Sequence, residues 1–300
     1  METQQLMVEL TDGRRLEVVA AGPVDGLALV FHTGTPAGLV PFAPMVDAAA
    51  ARGLRTVLYA RPGYGGSTAR PGRAVADAAE DVAAILDELG HDAFVTAGWS
   101  GGGPHALACA ALLPDRCRSA ATIAAAAPRD AEGLDWLAGM GPENVEEFGA
   151  AAGGEAPLTA FLEAAAAELR EVTAAQVAAA LGGLASEVDT AALTGDFAEY
   201  LASSFRVAVA GGIAGWRDDD LAFVRPWRFG LDLAVPVAIW QGGQDRMVPY
   251  DHGRWLADHV GGARPRLLPG EGHLSLPLTG FGAILDDLLE PLTARRAAAP

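Results

Sequence analysis

Cysteine is nearly absent from this 300-residue chain, which has only Cys109 and Cys117. So small a count supplies no disulfide framework and no CxxC metal pair, and both residues read as small buried hydrophobes. Basic charge is also scarce. Its 21 basic residues stand against 38 acidic ones, a net of −17. That field repels phosphate backbones and anionic lipid and offers no basic stripe to bind them, so neither nucleic acid nor a membrane surface is an expected partner. No stretch approaches the roughly 18 uninterrupted apolar residues of a membrane span. The segment Met1 to Thr11 carries Glu2 and Glu9 and has neither a basic start nor an apolar core. No signal peptide is expected there, and the expected location is the cytoplasm. With 51% hydrophobic side chains the chain can bury a full core, which argues against disorder or a fibrous fold. Nothing in the composition sets an oligomeric state.

Apolar runs at Leu6 to Leu10, Leu16 to Ala20, Leu27 to Phe31 and Leu54 to Tyr59 are separated by Asp12-Gly13, Gly22-Pro23 and Arg52-Gly53, and read as strands. Phe42 to Ala51 lies between the last two. From Ala74 to Leu89, Val82, Ile85, Leu86 and Leu89 recur at the 3- and 4-residue spacing of an amphipathic helix. Strand and helix then alternate: Ala93 to Ala97 (strand), Pro104 to Leu113 (helix), Ser119 to Ala124 (strand), Val235 to Gln241 (strand), Gly253 to Val260 (helix), Pro265 to Leu268 (strand) and Phe281 to Leu292 (helix). The pattern predicts an α/β fold with a mostly parallel sheet flanked by helices. From about Arg129 to Phe229 the rhythm breaks into Ala-rich, helix-patterned sequence. A structureless loop of that length is rare, so a helical cap over residues 129–229 is expected, inserted in a core formed by 1–128 and 230–300. The natural place for it is the carboxyl edge of the sheet, where open α/β folds hold ligands.

The sharpest chemical signal is Gly98-Trp99-Ser100-Gly101-Gly102, a G-x-S-x-G match after a strand and before a helix. A serine on so tight a turn projects its hydroxyl from the sheet edge, and glycines at 98 and 102 avoid a Cβ clash in the bend. The helix that follows aims its N–H groups at the same place, so the Gly101 backbone N–H is a candidate oxyanion donor. A serine hydroxyl needs a base, and the base needs an acid. His273, in Leu268-Pro269-Gly270-Glu271-Gly272-His273, follows a strand in a loop ahead of the final helix. Asp245, in Gly242-Gly243-Gln244-Asp245, follows the strand Val235 to Gln241. The other five histidines have blander readings in strand, helix or turn. The second oxyanion donor is expected in His32-Thr33-Gly34-Thr35-Pro36, with the Thr35 backbone N–H preferred and Thr33 and Gly34 left open. In the insertion, Trp216, Phe223, Trp227 and Phe229 cluster around Asp218-Asp219-Asp220. The aromatics read as a seal between cap and core or as an apolar pocket, with Trp99, Trp216 and Trp227 as candidate substrate contacts. The three aspartates read as a solvated turn or helix cap.

Five blocks, HTGTP (32–36), ARPGYGGST (60–68), GWSGG (98–102), GGQDRMVP (242–249) and GEGHLSLP (270–277), make the chain resemble the α/β-hydrolase superfamily, in the capped branch with proline iminopeptidases, esterases and carbon–carbon bond hydrolases. The resemblance runs from about Leu27 to about Leu289. It implies a Ser100, Asp245, His273 triad in the expected chain order, acyl transfer to water, a small-molecule substrate and no metal or organic cofactor. Serine at 100 argues against the carboxylate nucleophile of haloalkane dehalogenases and epoxide hydrolases. The segment RPGYGGS resembles a stretch that shapes the floor of such sites, and reads equally as a Gly-rich turn. Within this resemblance a small-molecule esterase is the leading expectation. Its rivals are an aminopeptidase, which would need acidic cap groups such as Glu143, Glu146, Glu147 or Glu199 for the substrate ammonium, and a carbon–carbon bond hydrolase or perhydrolase. From a different class comes a non-catalytic receptor for a small ligand.

Overall fold

A computed structural model of the chain describes residues 2–297, with side chains to residue 293. Eight strands form one sheet: β1 (Thr3–Glu9), β2 (Arg15–Ala21), β3 (Leu27–His32), β4 (Leu54–Tyr59), β5 (Phe94–Trp99), β6 (Cys117–Ile123), β7 (Val237–Gly242) and β8 (Ala263–Leu268), in the order β1-β2-β4-β3-β5-β6-β7-β8. The first two strands pair antiparallel, β2 runs antiparallel to β4, and every pairing from β4 to β8 is parallel. The parallel strands β4, β5 and β7 are buried along their whole length, which is why their sequences show no regular apolar–polar alternation; β4 buries Arg55 and Thr56 as well.

Helices α1 (Ala43–Ala50), α2 (Ala78–Leu89) and α3 (Gly102–Leu112) follow β3, β4 and β5. On one face, Val82, Ile85 and Leu86 of α2 and Leu107 of α3 pack on Val30, Val57 and Ile239. The other face is closed by Ala49 of α1 and by Ile284, Leu285 and Leu288 of the last helix, against Leu29, Leu58, Val95 and Ala238. Each fully buried Leu or Ile here removes enough apolar area from water to contribute about 1.5–3 kcal/mol.

Between β6 and β7 the chain makes a helical excursion: α4 (Pro142–Gly153), α5 (Glu155–Leu169), α6 (Val177–Leu181), α7 (Glu187–Ala192), α8 (Gly195–Ala210) and α9 (Ala214–Phe223), without a described strand. It has an apolar seam of its own. Leu158, Leu162 and Ala166 lie one above another on α5 and pack with Val209, Trp216 and Leu221, and against Ala60 and Tyr64 from the end of β4. The chain then completes β7, α10 (Tyr250–His259), β8 and α11 (Ser275–Ala297). The last helix starts six residues before the Phe281 expected from periodicity, because Ser275 to Gly280 continue the turn that the His273 loop begins. No described helix is long and apolar enough to cross a membrane.

Candidate active site

Register fixes the neighbours of Ser100. His32 at the end of β3 is paired with Gly98 of β5, so residues 33–35 and 99–101 leave the sheet side by side. Ser100 takes a left-handed φ of 55° and its N–H donates to the Ile123 carbonyl oxygen at 2.8 Å, the geometry of a strand forced straight into a helix. A Cβ at Gly98 would collide with the Gly102 carbonyl, and one at Gly102 with the His32 carbonyl. The expectation that both positions must be glycine therefore holds, for a steric reason.

At the end of β7, Asp245 is buried and accepts four hydrogen bonds: from the backbone N–H of Met247 and Val248, both at 2.8 Å, from Gln241 Nε2 at 3.1 Å and from His273 Nδ1 at 2.8 Å. Burial pushes its carboxyl up, opposed by His273 and the Val248 N–H. For His273, burial disfavours the imidazolium, but the charge and hydrogen bond of Asp245 and the field of Asp189 outweigh it, so its pKa lies above 6.5. With Nδ1 committed to Asp245, Nε2 is the nitrogen left for chemistry. His273 and Ser100 line one cavity of about 590 Å3. The Trp99 indole N–H donates to the His273 carbonyl at 3.1 Å, and its ring lies 5.8 Å from the imidazole.

The loop after β3 is gripped from below by Arg61, the one arginine of the ARPGYGGST block. Its guanidinium donates to the Thr33 and Gly34 carbonyls, both at 2.7 Å, and to Thr35 Oγ1 at 2.8 Å. In a trans peptide the N–H points opposite to the preceding carbonyl. Arg61 therefore turns the N–H groups of Gly34 and Thr35 away from itself. Gly34 is packed beside Ser100, with room for a Cβ only 3.4 Å from the Ser100 Cβ, and Thr35 crowds Gly101. Among the described residues, neither the Gly101 nor the Thr35 N–H donates to a backbone carbonyl. Gly34, Thr35 and Gly101 thus lie together around Ser100, with the N–H groups of Gly34 and Thr35 both turned away from Arg61.

The aspartates of the WRDDD segment differ from the expectation of a solvated turn: Asp218, Asp219 and Asp220 are all buried. Asp219 pairs with Arg61 at 2.7 Å and Arg73 at 2.6 Å and accepts from Tyr64 Oη and Thr35 Oγ1, each at 3.0 Å. Burial raises its pKa, but the two guanidinium charges dominate and hold it well below the usual carboxylate range. Tyr64 and Arg61 thereby give the RPGYGGS segment a place beneath the site. Asp220 faces Glu147 of α4. Burial and the repulsion of Glu147 push Asp220 well up, and burial raises Glu147 too, while Glu147 Oε1 accepts the Trp216 indole N–H at 2.6 Å.

Of the three tryptophans expected to touch substrate, Trp99 and Trp216 line the cavity at Ser100. Trp227 does not: it packs in the core with its ring 5.8 Å from that of Phe229, and its carbonyl accepts the Ala76 N–H. The apolar wall is formed by α5, α6 and α8 through Phe161, Leu169, Leu181, Leu201 and Phe205, and by Leu184. Glu143, Glu146, Glu147 and Glu168 line another part, and no arginine is among the lining residues described. Glu199 is on the surface, 3.3 Å from Arg206. Both cysteines are buried free thiols. Among the described residues no group of His, Cys, Asp and Glu is arranged to hold a metal ion. Sequence reasoning missed Arg61, Asp219 and Asp189. The first carried a signal in its block; the two aspartates act on residues far away in sequence and carried none.

A strained serine elbow on a central parallel strand, with an Asp–His pair delivered by the next strands, defines an α/β-type hydrolase. The family model for the alpha/beta hydrolase fold matches residues 28–278, and the chain belongs to that family. No curated protein matches the sequence. Among solved structures it is similar to an alpha/beta hydrolase fold protein from Nakamurella multipartita (26% identity, TM-score 0.64, covering 95% of this chain and 99% of that one). It is also similar to a thermophilic esterase from Thermogutta terrifontis (20%, 0.67, 96% and 99%) and a bromoperoxidase from Bacillus anthracis (20%, 0.69, 97% and 100%). At about 20% identity these last two share the fold, and an epoxide hydrolase from Mycobacterium thermoresistibile shares it as well. The chemistry must be argued from the site.

Proposed function

We propose that this hydrolase cleaves a small-molecule ester through an acyl-enzyme. The observation that carries the reading is the 2.8 Å Asp245–His273 hydrogen bond in a cavity shared with Ser100. His273 Nε2 takes the Ser100 proton, Ser100 Oγ attacks the carbonyl, and the N–H groups of Gly101 and Thr35 stabilise the oxyanion. Protonated His273 returns its proton to the leaving alkoxide. Water, deprotonated in turn by His273, then releases the acid. The helical excursion serves as a cap whose apolar wall receives the acyl chain. The cavity suits a medium-sized acyl group, and the protein acts in the cytoplasm without metal or organic cofactor.

A second reading has a specific observation in its favour. The glutamates of α4 and α5 on the cavity wall, with no arginine among the described lining residues, suit a substrate carrying an ammonium group, as an aminopeptidase requires. The test is hydrolysis of p-nitrophenyl esters of rising chain length beside proline p-nitroanilide, with Ser100→Ala as control. Ester turnover lost in Ser100→Ala supports the esterase, and cleavage of the anilide alone moves the assignment to an aminopeptidase. Equal rates in both proteins overturn Ser100 as nucleophile. Binding of a small molecule without turnover, and no labelling by a fluorophosphonate, would make the protein a receptor.

A further inference from the structure

Asp189 sits in the third position of α7, a six-residue helix whose N-cap is Ser186. In sequence it is an ordinary first-turn acid, the kind that tends its own helix. In the fold its carboxylate turns outward to another element. Oδ2 accepts the backbone N–H of His273 at 3.0 Å, and Oδ1 accepts those of Leu274 at 2.7 Å and Ser275 at 3.0 Å. Ser186 Oγ donates to Oδ2 at 2.8 Å. Those of Leu274 and Ser275 are orphan N–H groups at the start of α11, which a helix must satisfy from outside itself, and that of His273 lies in the turn leading into it. Asp189 therefore caps α11 from 84 residues away in sequence, and the capped turn carries the imidazole of His273. The carboxylate has no access to solvent. Gly272 makes the approach possible, because a Cβ there would collide with the Asp189 carboxyl oxygens.

We propose that Asp189 is a positioning residue for His273: the helical excursion holds the base in register with Ser100 and Asp245 through this single carboxylate. The proposal rests on the reading of His273 as the base. Three consecutive N–H bonds fix the backbone of residues 273–275, Asp245 fixes the ring through Nδ1, and Trp99 fixes the carbonyl. Backbone and ring are thereby held independently, from three different elements. Asp189 also adds a buried negative charge near the imidazole. The charged groups facing His273 are Asp245 from the loop after β7, Asp189 from α7, Glu271 on its own loop, and Glu143, Glu146, Glu147 and Glu168 across the cavity. Glu271 is occupied by Ser275 Oγ and Thr279 Oγ1. Asp245 and Asp189 both raise the His273 pKa.

The test uses Asp189→Asn, which keeps the volume and removes the charge and one acceptor. The His273 titration, read by histidine 15N NMR with His273→Gln for assignment, is expected to move down by about half a pH unit or more. Turnover of an ester substrate is expected to fall about tenfold or more, with KM within about threefold, as a misplaced base requires. The NMR titration needs no substrate, so a His273 titration unmoved in Asp189→Asn counts against the inference even if no ester proves to be hydrolysed, and the loss of kcat separates positioning from charge alone. A titration and kcat equal to those of the wild type, whatever happens to the melting temperature, would overturn it. Should Asp189→Asn not fold, Ser186→Ala keeps the charge and removes the hydroxyl that braces the carboxylate from its own helix. A kcat lowered by about threefold or more with an unmoved titration then supports the proposal, and an unchanged kcat overturns it.

Discussion

Arg61 and Asp219 meet across 158 residues of sequence, Nη2 of one lying 2.7 Å from Oδ2 of the other with both side chains closed to solvent. The pair ties α9 of the excursion to the loop that carries Thr35, because each partner also holds Thr35 Oγ1. Asp219→Ala would leave the guanidiniums of Arg61 and Arg73 buried without their counter-charge. The expected loss is about 3–5 kcal/mol, the usual result of removing one member of a buried ionic group. Denaturant unfolding of the variant beside the wild type measures it, and a loss below about 1 kcal/mol would show that water reaches the cluster. The pH dependence has a definite sign. The folded pKa of Asp219 is depressed below 3.8, so its contribution is complete above that value and is lost as pH falls toward the folded pKa.

Much of this site was legible in the sequence, and for identifiable reasons. Ser100, Asp245 and His273 each stand in a loop at the end of an apolar run, and a parallel sheet sends all such loops to one edge. Strand β4 was read to the residue, since Leu54 to Tyr59 is a buried run closed off by Gly53 and Arg61-Pro62. Asp189 and Asp219 were not legible as site residues. Their partners are backbone groups and arginines brought close only by tertiary folding, and a short acidic helix start looks the same whichever helix it caps. Trp227 misled for a related reason: aromatics near one another in sequence face different cores, Trp216 toward the cavity and Trp227 toward the core packed on α2 and α3.

The Asp245–His273 pair predicts the acid limb of activity. In the proposed mechanism His273 is the base and works only when neutral, and its pKa is raised above 6.5. The value of kcat/KM should therefore climb with pH through a point above that of free histidine. Asp245→Asn removes the largest force raising it, so the limb should move to lower pH while kcat falls by about 10⁴. For stability the sign is opposite to that of Asp219: a raised histidine pKa stabilises the fold below 6.5, and this is lost as pH rises through the folded pKa. A pH–rate profile of both proteins reads the shift, and an unmoved acid limb in Asp245→Asn would remove Asp245 from its role.

Glu147 and Asp220 make a third, independently testable prediction. Burial raises both folded pKa values and repulsion by Glu147 raises that of Asp220 further, so the native pair binds protons more tightly than the unfolded chain does. Their stabilising share is present below about pH 4, the unfolded range of carboxyls, and declines as pH rises through the folded values. Asp220→Asn supplies a permanent donor to Glu147. It should flatten this decline and make the variant more stable than the wild type at pH 8 but not at pH 5. Urea midpoints at the two pH values decide it, and equal differences at both would mean that the pair is not proton-linked.

Ser100 itself is held at a φ of 55°, where a Cβ presses on the neighbouring carbonyl at about 1–2 kcal/mol for an L-residue. That strain is expected where a hydroxyl must stand clear of the sheet edge. Ser100→Ala and Ser100→Gly both remove the hydroxyl and should both lose turnover; they differ only in the Cβ. In a helix interior, glycine is less stable than alanine by about 1 kcal/mol, through the freedom of its unfolded chain. At position 100 relief of the left-handed strain opposes that entropy, so the Gly variant should equal the Ala variant or exceed it by up to about 1 kcal/mol. Paired urea melts of the two inactive variants measure the difference free of any contribution from the hydroxyl. If Ser100→Gly came out less stable by the helical amount, the elbow would carry no strain and the tight turn would be set by its glycines alone.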